Sequence, residues 1–277
     1  MNGIPRAAWA LAAAAAVAIA IGTLARGFIG SEWHYDSNLV VESLPSAMPF
    51  ILAAAVVTGA FRWPATRGWL LIGAALLVLR GILEVGADWW IAGFPNRVPM
   101  EQSELERAVL YVRFVGSELA LIAAFATLAI ALWRSTSRQP PWGTWRRLGI
   151  IAAAALGVAA AAGAAMLGST AIAISADQLT EAVYWLLEGL GLAAAAALAV
   201  AALASVPDRH GLPELIIATG ATIFTVSSGG TDWLLAIIGL ATVSPDALLT
   251  LSRGAMAGPL VVAVGFAATQ IFPRRKP

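Results

Sequence analysis

Long apolar runs broken by short polar connections make up almost the whole chain. A helix that crosses the hydrocarbon core of a bilayer needs about 20 mostly apolar residues. Eight runs reach that length, at 7 to 29, 43 to 61, 68 to 93, 107 to 133, 147 to 174, 181 to 205, 213 to 241 and 247 to 272. They predict an all-α fold, a polytopic integral membrane bundle of about eight transmembrane helices. The first run follows Arg6 as the apolar part of a signal peptide would. It is longer than such a region, and Arg26 follows it without a small-residue cleavage site, so it is expected to be an uncleaved span.

Composition agrees with the pattern. With 60% hydrophobic and 12% charged residues in 277, the chain has too little polar surface to cover a soluble globule of its size. The lack of cysteine excludes disulfide staples and thiolate metal sites, and His34 and His210 both fall in polar segments. A haem or zinc site at membrane depth would want imidazoles there, so no cofactor is expected. The sequence holds no glycine-rich phosphate loop, no HExxH, no nucleophile elbow and no nucleic-acid patch. The lipid bilayer is the first expected partner.

The arginines predict an orientation. If both termini and the second, fourth and sixth connections share one side, that side holds Arg6, Arg62, Arg67, Arg134, Arg138, Arg146, Arg147, Arg209, Arg274, Arg275 and Lys276. The other side keeps Arg26, Arg97 and Arg107. This imbalance in short connections predicts a multi-pass protein of the cell membrane with both termini cytoplasmic. The outer connection 27 to 46 carries Glu32, Trp33, His34, Tyr35, Asp36 and Glu42; it reads as a solvated loop, or as a cap or contact for a protein partner.

Eight charges remain inside the runs: Arg80, Glu84, Asp88, Arg113, Glu118, Glu188, Asp232 and Arg253. At about 1.5 Å of rise per residue, Arg80 falls near mid-membrane and the others in the outer half. Arg80, Glu84 and Asp88 are spaced four apart, so they lie along one stripe of a helix and Arg80 can bond Glu84. Glu118 and Glu188 have no base within four positions on their own helices. Five acids against three bases leave two carboxylates without an internal counter-charge, so either protons or a bound cation must balance them. In the seventh run, "TGATIFTVSSGGTDW" at 219 to 233 could loosen a helix beside a site, or pack closely against a neighbour. Pro45 and Pro49 are expected at the start of the second span.

The halves 1 to 138 and 139 to 277 align with a shift of about 140 residues. Glu42 meets Glu181, "GADWW" at 86 to 90 meets "GTDWL" at 230 to 234, and Arg113 meets Arg253. Four spans per half would insert the same way up, as a tandem 4+4 parallel repeat. Asp88 with Arg113, and Asp232 with Arg253, would then be equivalent pairs. Three function classes fit these features. The first is a transporter whose outward-facing charged cavity takes a small polar solute or cation. The others are a non-catalytic assembly or scaffold subunit of a membrane complex, and an intramembrane enzyme acting on a lipid-linked substrate with carboxylates as acid and base.

Overall fold

The computed structural model describes residues 37–92, 104–136, 143–174, 179–206, 211–227 and 245–269. Among these residues the fold is all helix, with no strand. The helices are α1 (Ser37–Gly59), α2 (Arg67–Ala92), α3 (Glu104–Arg134), α4 (Thr144–Ile174), α5 (Leu179–Ser205), α6 (Leu212–Ser227) and α7 (Pro245–Ala268). Four stretches are long and apolar enough to cross a membrane: Pro64–Gly86, Tyr111–Arg134, Thr144–Met166 and Ala182–Ser205. Within α1 and its exit, α6 and α7, the stretches Ala47–Arg62, Leu212–Val226 and Ala257–Ala268 are also apolar. The run 7 to 29 and residues 228 to 244 lie outside the described residues.

Two expectations change at α1. The helix begins at Ser37, so the latter part of the connection 27 to 46 is helical rather than loop, and Pro45 and Pro49 are interior to the helix rather than at its start. Each proline removes one backbone donor, a loss tolerated within a membrane helix where neighbouring groups or local adjustment satisfy the freed carbonyl.

The helices close a ring. α1 packs on α2, α2 on α3, α3 on α5, α5 on α6, α6 on α7, and α7 back on α1, while α4 lies outside the ring against α5. Small residues set the closest approaches. A Cβ on Gly157 of α4 would meet the Ala196 Cβ at 2.5 Å, and one on Gly189 of α5 would meet the Ala164 Cβ at 2.4 Å. α6 and α7 are closer still, since a Cβ on Gly220 would stand 2.5 Å from the backbone nitrogen of Val262. Glycine there lets two backbones touch, a common basis of helix association in apolar surroundings.

The core fills one end of the ring. Leu52, Val56 and Trp63 from α1 and its exit, Leu70 and Leu77 from α2, and Leu128 and Leu132 from α3 are all buried. Leu198 of α5, Ile217 of α6 and Phe266 of α7 complete it. Apart from Leu77, which is nearer the middle of α2, they lie toward the end that carries Arg62, Arg67 and Arg134, here called the inner end after the predicted orientation. Edge-to-face contacts join Trp63 to Phe266 of the neighbouring α7 at 5.9 Å, and Phe125 of α3 to Phe224 of α6 at 5.5 Å. That end of the ring is a packed plug.

The segment 219 to 233 is an unbroken helix as far as Ser227. Thr219, Thr222 and Thr225 each donate their hydroxyl to the carbonyl four residues earlier, at 2.9, 2.8 and 2.9 Å. The helix satisfies its own hydroxyls, and Gly220 serves packing against α7.

Candidate functional site

Away from the plug, α2 carries Arg80 and Glu84, α3 carries Glu118 and α5 carries Glu188.

Arg80 is the hub. Its Nε donates to Glu84 Oε1 at 2.8 Å along its own helix, and its Nη2 donates to Glu118 Oε1 at 3.3 Å across to α3. The three side chains are 19%, 15% and 21% exposed, so the network is only partly desolvated. The other oxygen of Glu118 points toward α5, where a Cβ on Gly191 would stand 4.0 Å from it. On α5, the Tyr184 phenol hydrogen-bonds the Glu188 carboxylate and lies within the electrostatic reach of Glu118. Oε2 of Glu188 is buried.

The stacking of two aromatic rings explains the register. Phe114 and Tyr184 stack with centroids 5.1 Å apart and planes 21° apart. Phe114 is four residues before Glu118, and Tyr184 four before Glu188. α3 and α5 run in the same direction, so the stacked rings lie one helical turn outside the two carboxylates. Tyr184 also meets Trp185 edge to face at 5.3 Å. Arg80, Glu84 and Glu118 form one bonded group, with Glu188 and Tyr184 on the neighbouring α5. Three carboxylates against one guanidinium suit reversible protonation.

The other expected site residues lie elsewhere. Arg113 lines an open groove of about 390 Å³ between α2 and α3, with Ile82, Leu83 and Val112. Asp88 belongs to α2 and Arg253 to α7, but their side chains, and all of Asp232, lie outside the described residues, as do the two expected Asp–Arg pairs. Among the described residues, no group of three or more His, Cys, Asp or Glu could hold a metal.

Sequence reasoning missed two parts of this arrangement. Phe114 and Tyr184 escaped notice as ordinary apolar positions, although the repeated spacing of an aromatic four residues before a glutamate was a usable signal. Arg62 reads only as one of the basic residues of the inner side, and nothing local marks Glu214 as its partner. They form a buried forked pair, with Nε to Oε1 at 3.1 Å and Nη2 to Oε2 at 3.2 Å. No local pattern could reveal it, because 152 residues separate the partners.

Comparison of the chain with protein-family models, with curated proteins and with solved structures finds no match in any of the three. The class rests on the fold alone: a helical bundle whose apolar helices fit an integral membrane protein.

Proposed function

We propose that this protein is a transporter of the cell membrane, with eight spans and both termini cytoplasmic, that takes a small cation or small polar solute into a charged cavity open to the outside. The observation that carries this reading is the meeting of Glu84 and Glu118 on Arg80, with Glu188 on the neighbouring α5, beyond a packed inner end. Carboxylates set beyond a packed end are what an outward-facing carrier needs. Arg113 stands on the same side of the plug.

The tandem repeat also gains support. Exchanging α1 with α5, α2 with α6 and α3 with α7 turns the α1–α2, α2–α3 and α3–α5 contacts into α5–α6, α6–α7 and α7–α1, all of which occur. The shift that pairs Asp88 with Asp232 carries Arg80 onto Phe224, and the shift that pairs Arg113 with Arg253 carries Glu118 onto Gly258. Phe224 and Gly258 touch, since a Cβ on Gly258 would stand 2.6 Å from the Phe224 Cβ. One half thus places an ion pair where the other places apolar packing, and the asymmetry points to the Arg80 cluster as the specialised element.

Uptake into proteoliposomes tests the transport reading. Wild-type protein should accumulate labelled sodium, methylammonium or guanidinium, used as probes of small inorganic and organic cations, above the level of empty liposomes. Glu118→Gln and Glu188→Gln, each still folded by circular dichroism, should drop to that background. Uptake that survives both substitutions would reject the cluster as the pathway.

The double anchoring of Arg80 favours a second reading, in which the cluster is a static tie in an assembly subunit. Purification from native membranes in mild detergent separates the two. A stoichiometric partner protein supports the subunit, and a monodisperse single chain supports the carrier.

A further inference from the structure

α3 and α4 flank α5 on the outside of the ring, and an open groove of about 560 Å³ runs between them. Its floor is Ala193, Ala197 and Val200 of α5; Ile130 walls one side and Val158 the other. It belongs to the inner half, because Trp133 and Arg134 close its end at the inner limit of α3. Arg134 is among the residues that line it, and its guanidinium also lies over the Trp69 ring of α2 at 5.0 Å.

Charge decides what the groove suits. Arg146 and Arg147 stand at the same end on α4, a helix without a single acid, and α3 has none after Glu118. Trp133 and Trp145 are about half exposed at that level, as aromatic side chains at a headgroup boundary are. An apolar, alanine-floored trough that ends in arginine and tryptophan matches an acyl chain with an anionic headgroup. A polar solute would find no partner along its walls.

We infer that this groove binds one anionic phospholipid, its phosphate on Arg134 and one acyl chain along Ala193, Ala197 and Val200. The site is separate from the Arg80 cluster and stands whether or not that cluster transports anything.

Native mass spectrometry of the full chain, titrated with phosphatidylglycerol or phosphatidylcholine of identical acyl chains, reads the site directly. Wild-type protein should retain phosphatidylglycerol in preference. Arg134→Gln should lower that preference roughly fivefold, the contribution of one basic residue beside an anionic lipid. Arg67→Gln, a change of an exposed inner arginine away from the groove, should leave it unaltered. Ala197→Phe fills the trough from an exposed position and should remove the first bound lipid of either headgroup. Equal retention of both lipids by the wild type, or equal effects of Arg134→Gln and Arg67→Gln, would overturn the assignment. So would a dimer that Ala197→Phe dissolves, since a second copy of the chain would then be the occupant. The arginine comparison decides the matter even if Ala197→Phe fails to fold.

Discussion

Arg62→Ala and Glu214→Ala should each destabilise the folded protein by about 3–5 kcal/mol, the cost of breaking a buried ion pair by removing one partner. The pair joins the turn between α1 and α2 to the first turn of α6, and its side chains are 2% and 0% exposed. Two parallel N–H···O bonds of 3.1 and 3.2 Å give it the forked geometry that arginine and a carboxylate favour. Removal of the arginine takes two donors from a buried carboxylate, and a buried charge that loses hydrogen bonds is costly. Arg62 also lies 5.8 Å from the Trp63 ring, so the alanine loses some packing as well. The double variant Arg62→Met with Glu214→Leu leaves no charge behind and should regain most of the lost stability. Thermal unfolding in detergent, followed by circular dichroism, measures all three. If the single variants unfold like Arg147→Ala, an exposed change expected to matter by less than about 0.5 kcal/mol, the pair contributes nothing to the fold.

Gly220→Ala should be nearly as damaging, although it adds a single methyl group. The new carbon would stand 2.5 Å from the Val262 nitrogen, 2.7 Å from the Gly258 carbonyl oxygen and 2.9 Å from the Val261 carbonyl carbon. All three are backbone atoms, and no side chain can swing aside to admit it. α6 and α7 would have to separate along their contact, at a cost of about 1–3 kcal/mol and more for Gly220→Val. Gly86→Ala is the matched comparison, because a Cβ there meets nothing within 4 Å. It should be neutral or stabilising by up to about 1 kcal/mol, since alanine loses less backbone freedom than glycine in a helix. Equal melting temperatures for Gly220→Ala and Gly86→Ala would show that the α6–α7 contact does not depend on the missing side chain.

Much of the candidate cluster was legible before any tertiary contact was known. The four-residue spacing of Arg80 and Glu84 implied their bond, and it forms. Glu118 and Glu188 stood out because they lacked a base on their own helices. The partner of Glu118 comes instead from the neighbouring helix, 38 residues away. That link was not legible, because spacing along one helix reports which side chains share its stripe and says nothing of which other helix the stripe faces.

The sequence by itself determined what depends on local and additive physics. The transfer of apolar groups into a low-dielectric layer, summed over about 20 residues, marked where the helices lie. The described helices follow those runs, apart from the early start of α1 at Ser37. Only the tertiary structure decided the closed ring, the plug at one end, the stacking of Phe114 on Tyr184 and the pairing of Arg62 with Glu214. Those features depend on helix rotation and on close approaches at a few small residues. Alanine-rich helices look alike in hydropathy, so which of them meet is decided by close approaches such as the α6–α7 backbone contact at Gly220 and the α4–α5 contact at Gly157 and Gly189. The charged side chains then follow the packing of the helices that carry them.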